Sequence, residues 1–452
     1  MNVPLTESIR NVAVVSHAGS GKTSLVEALA YCAGSLSAPG SIFAGTTVSD
    51  FEPEEIHRRT SLNTTVLRCS YQDRVLTLLD TPGSPSFIGE TRSALRAADG
   101  VVLVVSAASG VRSALQRIWS MVRDSGLPCV VFVNDLDKDG TVFDNTVEDL
   151  IKELEMTAVP LILPMGSGAP LGDVVDVLQN HVVTSQPDRP KSQQGPVPPE
   201  WRDRVDQARR RVMELVAEGD EALLERYLTD GALTEEALLE GLQAGVQRGS
   251  LVPIVGGSAL RHIGVHSLLH TLVELLPSPV SRARVAPLQG TGSMEDGGPI
   301  NRHPLPTDPF SAVVFKTLID PFIGRLSYVR VYSGTLEADT AMYNSTRQVR
   351  ERGGHLFSIF GKKYTPITRA TAGEIVAIGK LKDTVTGDTL CDEHAPIRYP
   401  GIPFPRPVVS FAIEPKSKTD IEKVSLGLHK VIEEDPSLEF VRHIETKEMV
   451  LS

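Results

Sequence analysis

Cysteine is scarce in this chain of 452 residues: only Cys32, Cys69, Cys129 and Cys391 occur, and no two form a Cys-x-x-Cys pair. That spacing offers neither a disulfide framework nor a zinc site, and it suits a reducing cytoplasm. Long apolar runs are also missing. The stretch 101–108 is among the longest and falls well short of the roughly 18 residues that a membrane span needs, so it reads as a buried strand. No basic N-terminal segment leads into an apolar one, so neither a signal peptide nor a membrane partner is expected. Positive charge is in deficit, with 45 Lys and Arg against 56 Asp and Glu and a net charge of −11. This balance argues against a general nucleic-acid coat, and no DNA partner is expected, although one local basic face is compatible with it. Against these absences, 41% hydrophobic and 22% charged residues are ordinary globular values, which excludes a mainly disordered chain. The length suits two to four domains of roughly 100–200 residues each.

Up to about residue 180, short β-branched runs alternate with segments of helical spacing. Residues 11–16, 75–79, 101–106 and 129–134 read as buried strands. Residues 22–33, 86–97, 114–125 and 146–155 read as helices. That order predicts a mostly parallel sheet with helices on both faces. Residues 184–200, rich in Pro, Gln and Ser, read as a linker. A charged amphipathic helix over 201–218 follows, then two shorter helices to residue 248, a strand over 251–259 and a helix over 265–276. A second Pro- and Gly-rich stretch, 277–309, marks a domain boundary. From 310 to 390 short strands alternate with turns, which predicts an antiparallel β-barrel. This segment carries more Lys and Arg than Asp and Glu, against the trend of the chain. Beyond 407 a strand near 408–413 and a helix near 420–433 begin a further α/β unit.

The sharpest motif is Ser16-His17-Ala18-Gly19-Ser20-Gly21-Lys22-Thr23, placed after a strand and opening a helix. Small residues there let backbone N–H groups face phosphate oxygens, and the helix N-terminus adds positive potential. Lys22 would reach the β- and γ-phosphates, and the Thr23 hydroxyl would coordinate Mg²⁺. Asp80-Thr81-Pro82-Gly83 ends the strand over 75–79. There Asp80 can hold a magnesium water and the Gly83 N–H can meet the γ-phosphate. Alone that tetrapeptide is an ordinary turn; about 60 residues after a phosphate loop it points to a nucleoside triphosphatase. Asn134-Asp135-Leu136-Asp137 follows the fourth strand, where the Asp137 carboxylate can accept from guanine N1–H and N2–H₂. Gly257-Ser258-Ala259 would close the base pocket.

Taken together, the chain resembles the translational GTPases, elongation factor G and the elongation factor G-like proteins. The resemblance rests on His17 with Gly21-Lys22-Thr23, Asp50-Phe51-Glu52-Pro53-Glu54-Glu55, Asp80-Thr81-Pro82-Gly83, Ala97-Ala98-Asp99-Gly100 and Gly257-Ser258-Ala259. It continues through Leu276-Pro277-Ser278-Pro279, Phe315-Lys316, Asp320-Pro321, Gly324-Arg325-Leu326 and Gly387-Asp388-Thr389-Leu390. It ends with Ile413-Glu414-Pro415-Lys416 and Glu434-Asp435-Pro436-Ser437. It implies an α/β P-loop GTPase domain over 1–280 with a helical insertion at about 160–250, and a linker over 281–307. A β-barrel over 308–400 and part of an α+β, ferredoxin-like third domain over 401–452 complete the division. It also implies a GTP/GDP site formed by His17, Ala18, Gly19, Ser20, Gly21, Lys22, Thr23, Ser24, Asp80, Asn134, Asp137, Ser258, Ala259 and Leu260. The implied Mg²⁺ ligands are Thr23, Ser61 and Asp80, with Lys22, Gly83 and Ser84 at the chemistry. A monomeric cytoplasmic factor that meets ribosomal RNA and proteins is expected, and the chain reads as a fragment of a longer one.

Three positions depart from the family pattern. Arg58-Arg59-Thr60-Ser61 replaces Arg-Gly-Ile-Thr, which makes Ser61 the substitute metal ligand. Ser84 stands where elongation factor G has histidine, so slow hydrolysis is expected. Asp135 stands where lysine covers the guanine ring, so affinity should fall by about 1–2 kcal/mol. These changes leave a non-hydrolysing scaffold relative, or a ribosomal-protection or release-factor relative, as the alternatives. Gly19, where elongation factor G has Asp, favours the elongation factor G-like branch. His266 and His270 have helical metal-pair spacing but no third ligand, and the charges over 202–211 read as a solvated helix face. Arg347, Arg350, Arg352, Lys362 and Lys363 are the residues expected to meet RNA phosphates.

Overall fold

The computed structural model describes residues 4–452 apart from 169, 186–188, 293–297, 415–416, 418–420 and 443–447. Pro415-Lys416, the first residue of the helix read over 420–433, and parts of the linkers read over 184–200 and 277–309 therefore lie outside the described residues. β1 (Ile9–Val15) is buried at every position and feeds α1 (Lys22–Cys32). Its β-branched residues suit a strand covered on both faces, where stiff side chains lose little rotamer freedom. Next come α2 (Pro53–Arg58), the hairpin β2 (Thr65–Tyr71) and β3 (Arg74–Asp80), then α3 (Ile88–Ala97) and β4 (Gly100–Ser106). They are followed by α4 (Ser113–Asp124), β5 (Cys129–Asn134), α5 (Phe143–Leu154) and β6 (Ala158–Met165). After them run β7 (Asp173–Asp176), β8 (His181–Thr184), β9 (Gln193–Pro196), α6 (Arg202–Glu218), α7 (Glu221–Asp230) and α8 (Glu235–Gln247). β10 (Val252–Gly256) and α9 (Val265–Leu275) complete the unit.

The sheet order is β2-β3-β1-β4-β5-β10-β6-β7-β8-β9, parallel from β3 to β6 and antiparallel at both ends. β1 thus lies between β3 and β4, and the strand order reverses there. In such sheets ligands bind beyond the carboxyl ends of the strands at that place. Two stretches differ from the sequence reading. β2 is a strand, though its burial on both faces removes the alternation that would mark it. The insertion expected to be helical over 160–250 opens as an antiparallel meander, β6 to β9, and its helices begin only at Arg202.

The described parts of the stretch read as a second linker are also built. α10 (Pro279–Val285) is capped by the Ser278 hydroxyl, and β11 (Leu288–Gly292) pairs with β12 (Pro299–Arg302) and with Ile397–Arg398. β13 (Ser311–Asp320) and β14 (Gly324–Ser333) form the long hairpin of an antiparallel β domain, whose core includes Val314, Val329, Val331, Ile378 and Leu390. Phe411–Ile413, Ile421–Glu434, Phe440–Arg442 and Met449–Leu451 make a small unit of one helix and three antiparallel strands. Its helix docks on the β domain, where the Glu434 carboxylate accepts the Ile319 N–H at 2.7 Å. Among the described residues, no helix is long and apolar enough to cross a membrane.

The first two domains share a buried polar joint. Arg330 of β14, 2% exposed, donates to both Asp99 oxygens at 2.9 and 2.8 Å and to the Ala97 carbonyl at 3.2 Å. Asn11 of β1 donates to Asp99 at 2.7 Å and to the Gly373 carbonyl at 3.0 Å. Nearer the carboxyl ends of the strands, Lys316 of β13 donates to Glu90 at 2.8 Å and to Asn63 at 3.0 Å.

Candidate functional site

The loop after β1 has the backbone its glycines permit. Gly21 has φ of 90°, in the left-handed region, and a Cβ there would stand 2.3 Å from Asn134 Nδ2. Only glycine fits both demands. His17 Nδ1–H donates to the Ala18 carbonyl at 2.8 Å, and Ala18 and Gly19 are exposed at the loop tip. Lys22 folds back so that its ammonium donates to the His17 carbonyl at 3.1 Å. Ser20 is buried with a hydroxyl that has no hydrogen-bond partner among the described residues, and Ser24 is half-buried on the first turn of α1.

Asp80 at the end of β3 is 1% exposed, and among the described residues neither of its oxygens accepts a well-formed hydrogen bond. Burial pushes its carboxyl up to about 7, and the negative charge of Asp50 adds to that. Lys22 and the nearby Ser49 and Thr23 hydroxyls oppose the shift. Burial in turn draws the Lys22 ammonium down to about 8, against the pull of Asp80 and Asp50. Gly83 lies so close to the loop that a Cβ on it would meet Lys22 Nζ at 2.4 Å and the Ala18 nitrogen at 2.5 Å. Ser84, half-buried, follows at the start of a single 3-10 turn, and its side chain makes no capping hydrogen bond.

Thr23 Oγ1 and Ser61 Oγ are 3.1 Å apart and both buried. The two hydroxyls assigned to one metal from separate stretches of sequence thus meet, beside Asp80. Asp50, quoted above within a motif but given no role, joins them: burial raises its carboxyl, while the Ser61 hydroxyl and Lys22 pull it back. An all-oxygen set of two hydroxyls and two buried carboxylates is the chemistry that a hard divalent cation such as Mg²⁺ selects. The residues fit the ion.

Sequence reasoning missed the side chains that hold the segment carrying Ser61. Glu27 of α1, 1% exposed, accepts the N–H groups of Gly40 and Val48. Glu55 accepts those of Leu62 and Asn63 at 2.9 and 3.1 Å and closes a capping box with Glu52. The one signal in the sequence was a glutamate at the third position of a helix that opens on proline, which marks a capping box but not the burial of Glu55. Arg59 ends α2 in the left-handed region, φ 55° and ψ 40°, and its guanidinium lies 5.6 Å from the Phe43 ring centroid. Glycine occupies such a position without strain. Arg59→Gly is therefore expected to stabilise the protein by about 0.5–1 kcal/mol, read as a higher urea midpoint at unchanged slope.

The base-side residues also converge. Asn134 donates to the Ser20 carbonyl at 2.9 Å and accepts the Ala259 N–H at 2.9 Å, which ties the phosphate loop to the segment after β10. Ser258 is buried and its hydroxyl accepts the Arg261 N–H at 3.3 Å, while Leu260 is exposed. Asp137 is half-buried, with no side-chain hydrogen bond among the described residues. Asp135 turns inward with φ of 66°, accepts from Ser106 Oγ at 2.5 Å and pairs with Lys138 at 3.1 Å. Its charge is thereby answered locally, and Lys138 is held to Asp135.

Three stretches match family models: residues 7–278 the elongation factor Tu GTP-binding domain, 309–393 domain 2 of elongation factor G, and 404–452 its domain III. The chain belongs to the elongation factor G-like translational GTPases. It is 35% identical to elongation factor G of Dehalococcoides mccartyi over 98% of its own length, and 34% identical to that of Thermotoga neapolitana over 99%. A crystal structure of a protein from Thermus thermophilus superposes with a TM-score of 0.85 at 35% identity, covering 98% of this chain. The chain spans 64% of the length of each of these relatives.

The other sequence-level signals do not converge on chemistry. His266 faces the Pro190 carbonyl and His270 lies 2.6 Å from Gln179, so the pair shares no ligand. In the charge run, Arg204 pairs with Asp144 of α5, and Arg209 reaches the Leu178 carbonyl and Glu235. Of the basic residues in the β domain, Arg347 pairs with Asp388 and Arg350 with Glu393, while Arg352, Lys362 and Lys363 are exposed.

Proposed function

We propose that the chain binds GTP and GDP with Mg²⁺ and hydrolyses GTP slowly, as a monomeric cytoplasmic factor that associates with the ribosome. The observation that carries this reading is the Thr23–Ser61 hydroxyl pair at 3.1 Å beside the buried Asp80 and Lys22. Thr23 and Ser61 would hold the ion directly and Asp80 through water. A bound Mg²⁺ supplies neutralisation of phosphate charge. Lys22 would leave the His17 carbonyl for the β- and γ-phosphates, and the Gly83 N–H would meet the γ-phosphate. Asn134 holds the pocket wall, Asp137 reads guanine, and Ser258, Ala259 and Leu260 border the base. With Asp135 turned toward Ser106, the base lacks a covering lysine stem, and affinity is lower than in relatives that have one. The division into 1–280, 281–307, 308–400 and 401–452 belongs to the same reading.

The test is calorimetry with GDP and GTP in the presence of Mg²⁺, followed by single-turnover cleavage with ribosomes. Lys22→Ala should lower affinity by at least about tenfold, on the scale of a charged hydrogen bond. An unchanged affinity and turnover in that variant would end the enzyme reading. Nanomolar GDP binding by the parent chain would refute the role given to Asp135.

A further inference from the structure

A cavity of about 740 Å³ opens between the first domain, α10 and the β domain. It lies at the start of β4, whereas the phosphate loop follows the end of the parallel neighbour β1. The two sites are thus about 20 Å apart, roughly the length of a seven-residue strand. Four arginines line the cavity, Arg92, Arg96, Arg282 and Arg330, against two aspartates, Asp99 and Asp124. The deeper aspartate, Asp99, is already taken by Arg330 and Asn11, and Asp124 sits exposed at the rim.

Arg92 donates to the Pro403 carbonyl, which leaves the guanidinium groups of Arg282 and Arg96 facing the space with donors to give. Among the described residues the Arg282 side chain makes no hydrogen bond or ion pair, and its Nη2 rests 3.8 Å from where a Gly126 Cβ would be. Burial draws it below the usual arginine range, with Asp99 pulling the other way. Arg96 stacks 5.4 Å from the Tyr332 ring centroid and 6.0 Å from that of Tyr399, its Nη2 donates to the Pro400 carbonyl at a long 3.5 Å, and its Nε is buried without a hydrogen-bond partner among the described residues. The two tyrosine rings meet edge to face at 5.1 Å, and with Leu95, Met121 and Leu127 they give the cavity an apolar wall. Open guanidinium donors beside a flat apolar wall recognise a negative head on a planar body.

We propose that this cavity binds a small organic anion with a planar ring, its anionic group held by Arg282 and Arg96 and its ring laid against the Tyr332–Tyr399 wall. The volume admits a molecule of mononucleotide size. The ligand touches both domains, so it fastens them together.

The probe is 2-naphthyl phosphate, titrated calorimetrically into the full chain with saturating GDP and Mg²⁺. Lys22→Ala serves as the background that removes the phosphate loop from consideration. Binding in the submillimolar range is expected, unchanged by Lys22→Ala. Arg282→Ala should weaken it about tenfold, as loss of a charge-assisted hydrogen bond does. Ala283→Trp should abolish it by filling the space, and uncharged 2-naphthol should bind about tenfold more weakly than the phosphate. Circular dichroism confirms that each variant folds; if Ala283→Trp does not, Arg282→Ala decides alone. The proposal is overturned by no heat at millimolar probe, by equal affinity in Arg282→Ala, by 2-naphthol binding as tightly, or by loss in Lys22→Ala.

Discussion

Replacing Arg330 with methionine should destabilise the protein by about 3–5 kcal/mol, because it leaves the buried Asp99 carboxylate with Asn11 as its one hydrogen-bond partner among the described residues, Arg282 and Arg10 acting on it only through their charge. The pair is 2% and 6% exposed and hydrogen-bonded at 2.8–2.9 Å, so water cannot replace the lost guanidinium without opening the joint. Burial already pushes the Asp99 carboxyl up despite Arg330. Removing the arginine therefore exposes the full desolvation penalty. The paired replacement Arg330→Met with Asp99→Leu should recover much of the loss, since neither member of the ion pair then stays buried without the other. Both tryptophans, Trp119 and Trp201, precede the β domain, so fluorescence reports the first domain, while far-ultraviolet circular dichroism reports both. In urea the two signals should separate in the single variant. A single variant within about 1 kcal/mol of the parent would show that the ion pair adds little beyond its surroundings.

The second large effect concerns rate. Ser84→His should raise single-turnover GTP cleavage on ribosomes by about 10²-fold, the lower end of what a positioned water-orienting group contributes. Ser84 follows Gly83, which abuts Lys22 and the phosphate loop, so a longer side chain at 84 reaches the side of the loop where a γ-phosphate would lie. Nucleotide affinity should change little, because the Ser84 side chain makes no capping hydrogen bond and none to the loop among the described residues. A rate equal to the parent's at saturating GTP would mean that Ser84 does not limit the reaction.

The geometry of the candidate phosphate site was legible because its information is local. A buried β-branched strand, a small-residue loop and a helix beginning Lys22-Thr23 are contiguous, and the loop backbone follows from glycine at 19 and 21. Asp80 and Asn134 could be placed because each ends a parallel strand, and parallel strands bring their carboxyl ends to one edge. Ser61 could be assigned only through resemblance, yet it lies against Thr23. What could not be read is long-range. Asp99 and Arg330 are 231 residues apart and neither carries a local mark of the other. β2 escaped because burial on both faces erases the period of two. The meander from Ala158 to Pro196 escaped because its strands are short and interrupted by proline and glycine. Glu27 and Glu55 looked like ordinary helix carboxylates; only burial against backbone N–H groups reveals them as clasps.

β2 has a further bearing on how the protein can be handled. It is the outermost strand of the first domain's sheet beside β3, and its open side is met by the neighbouring domain. Phe360 pairs with Leu67, and the Gly361 N–H donates to the Val66 carbonyl at 2.9 Å. An unsheltered edge of this kind is a template for another chain's backbone. The β domain thus acts as a sheath, and a first domain expressed by itself would present that edge to its own copies and tend to stick to them.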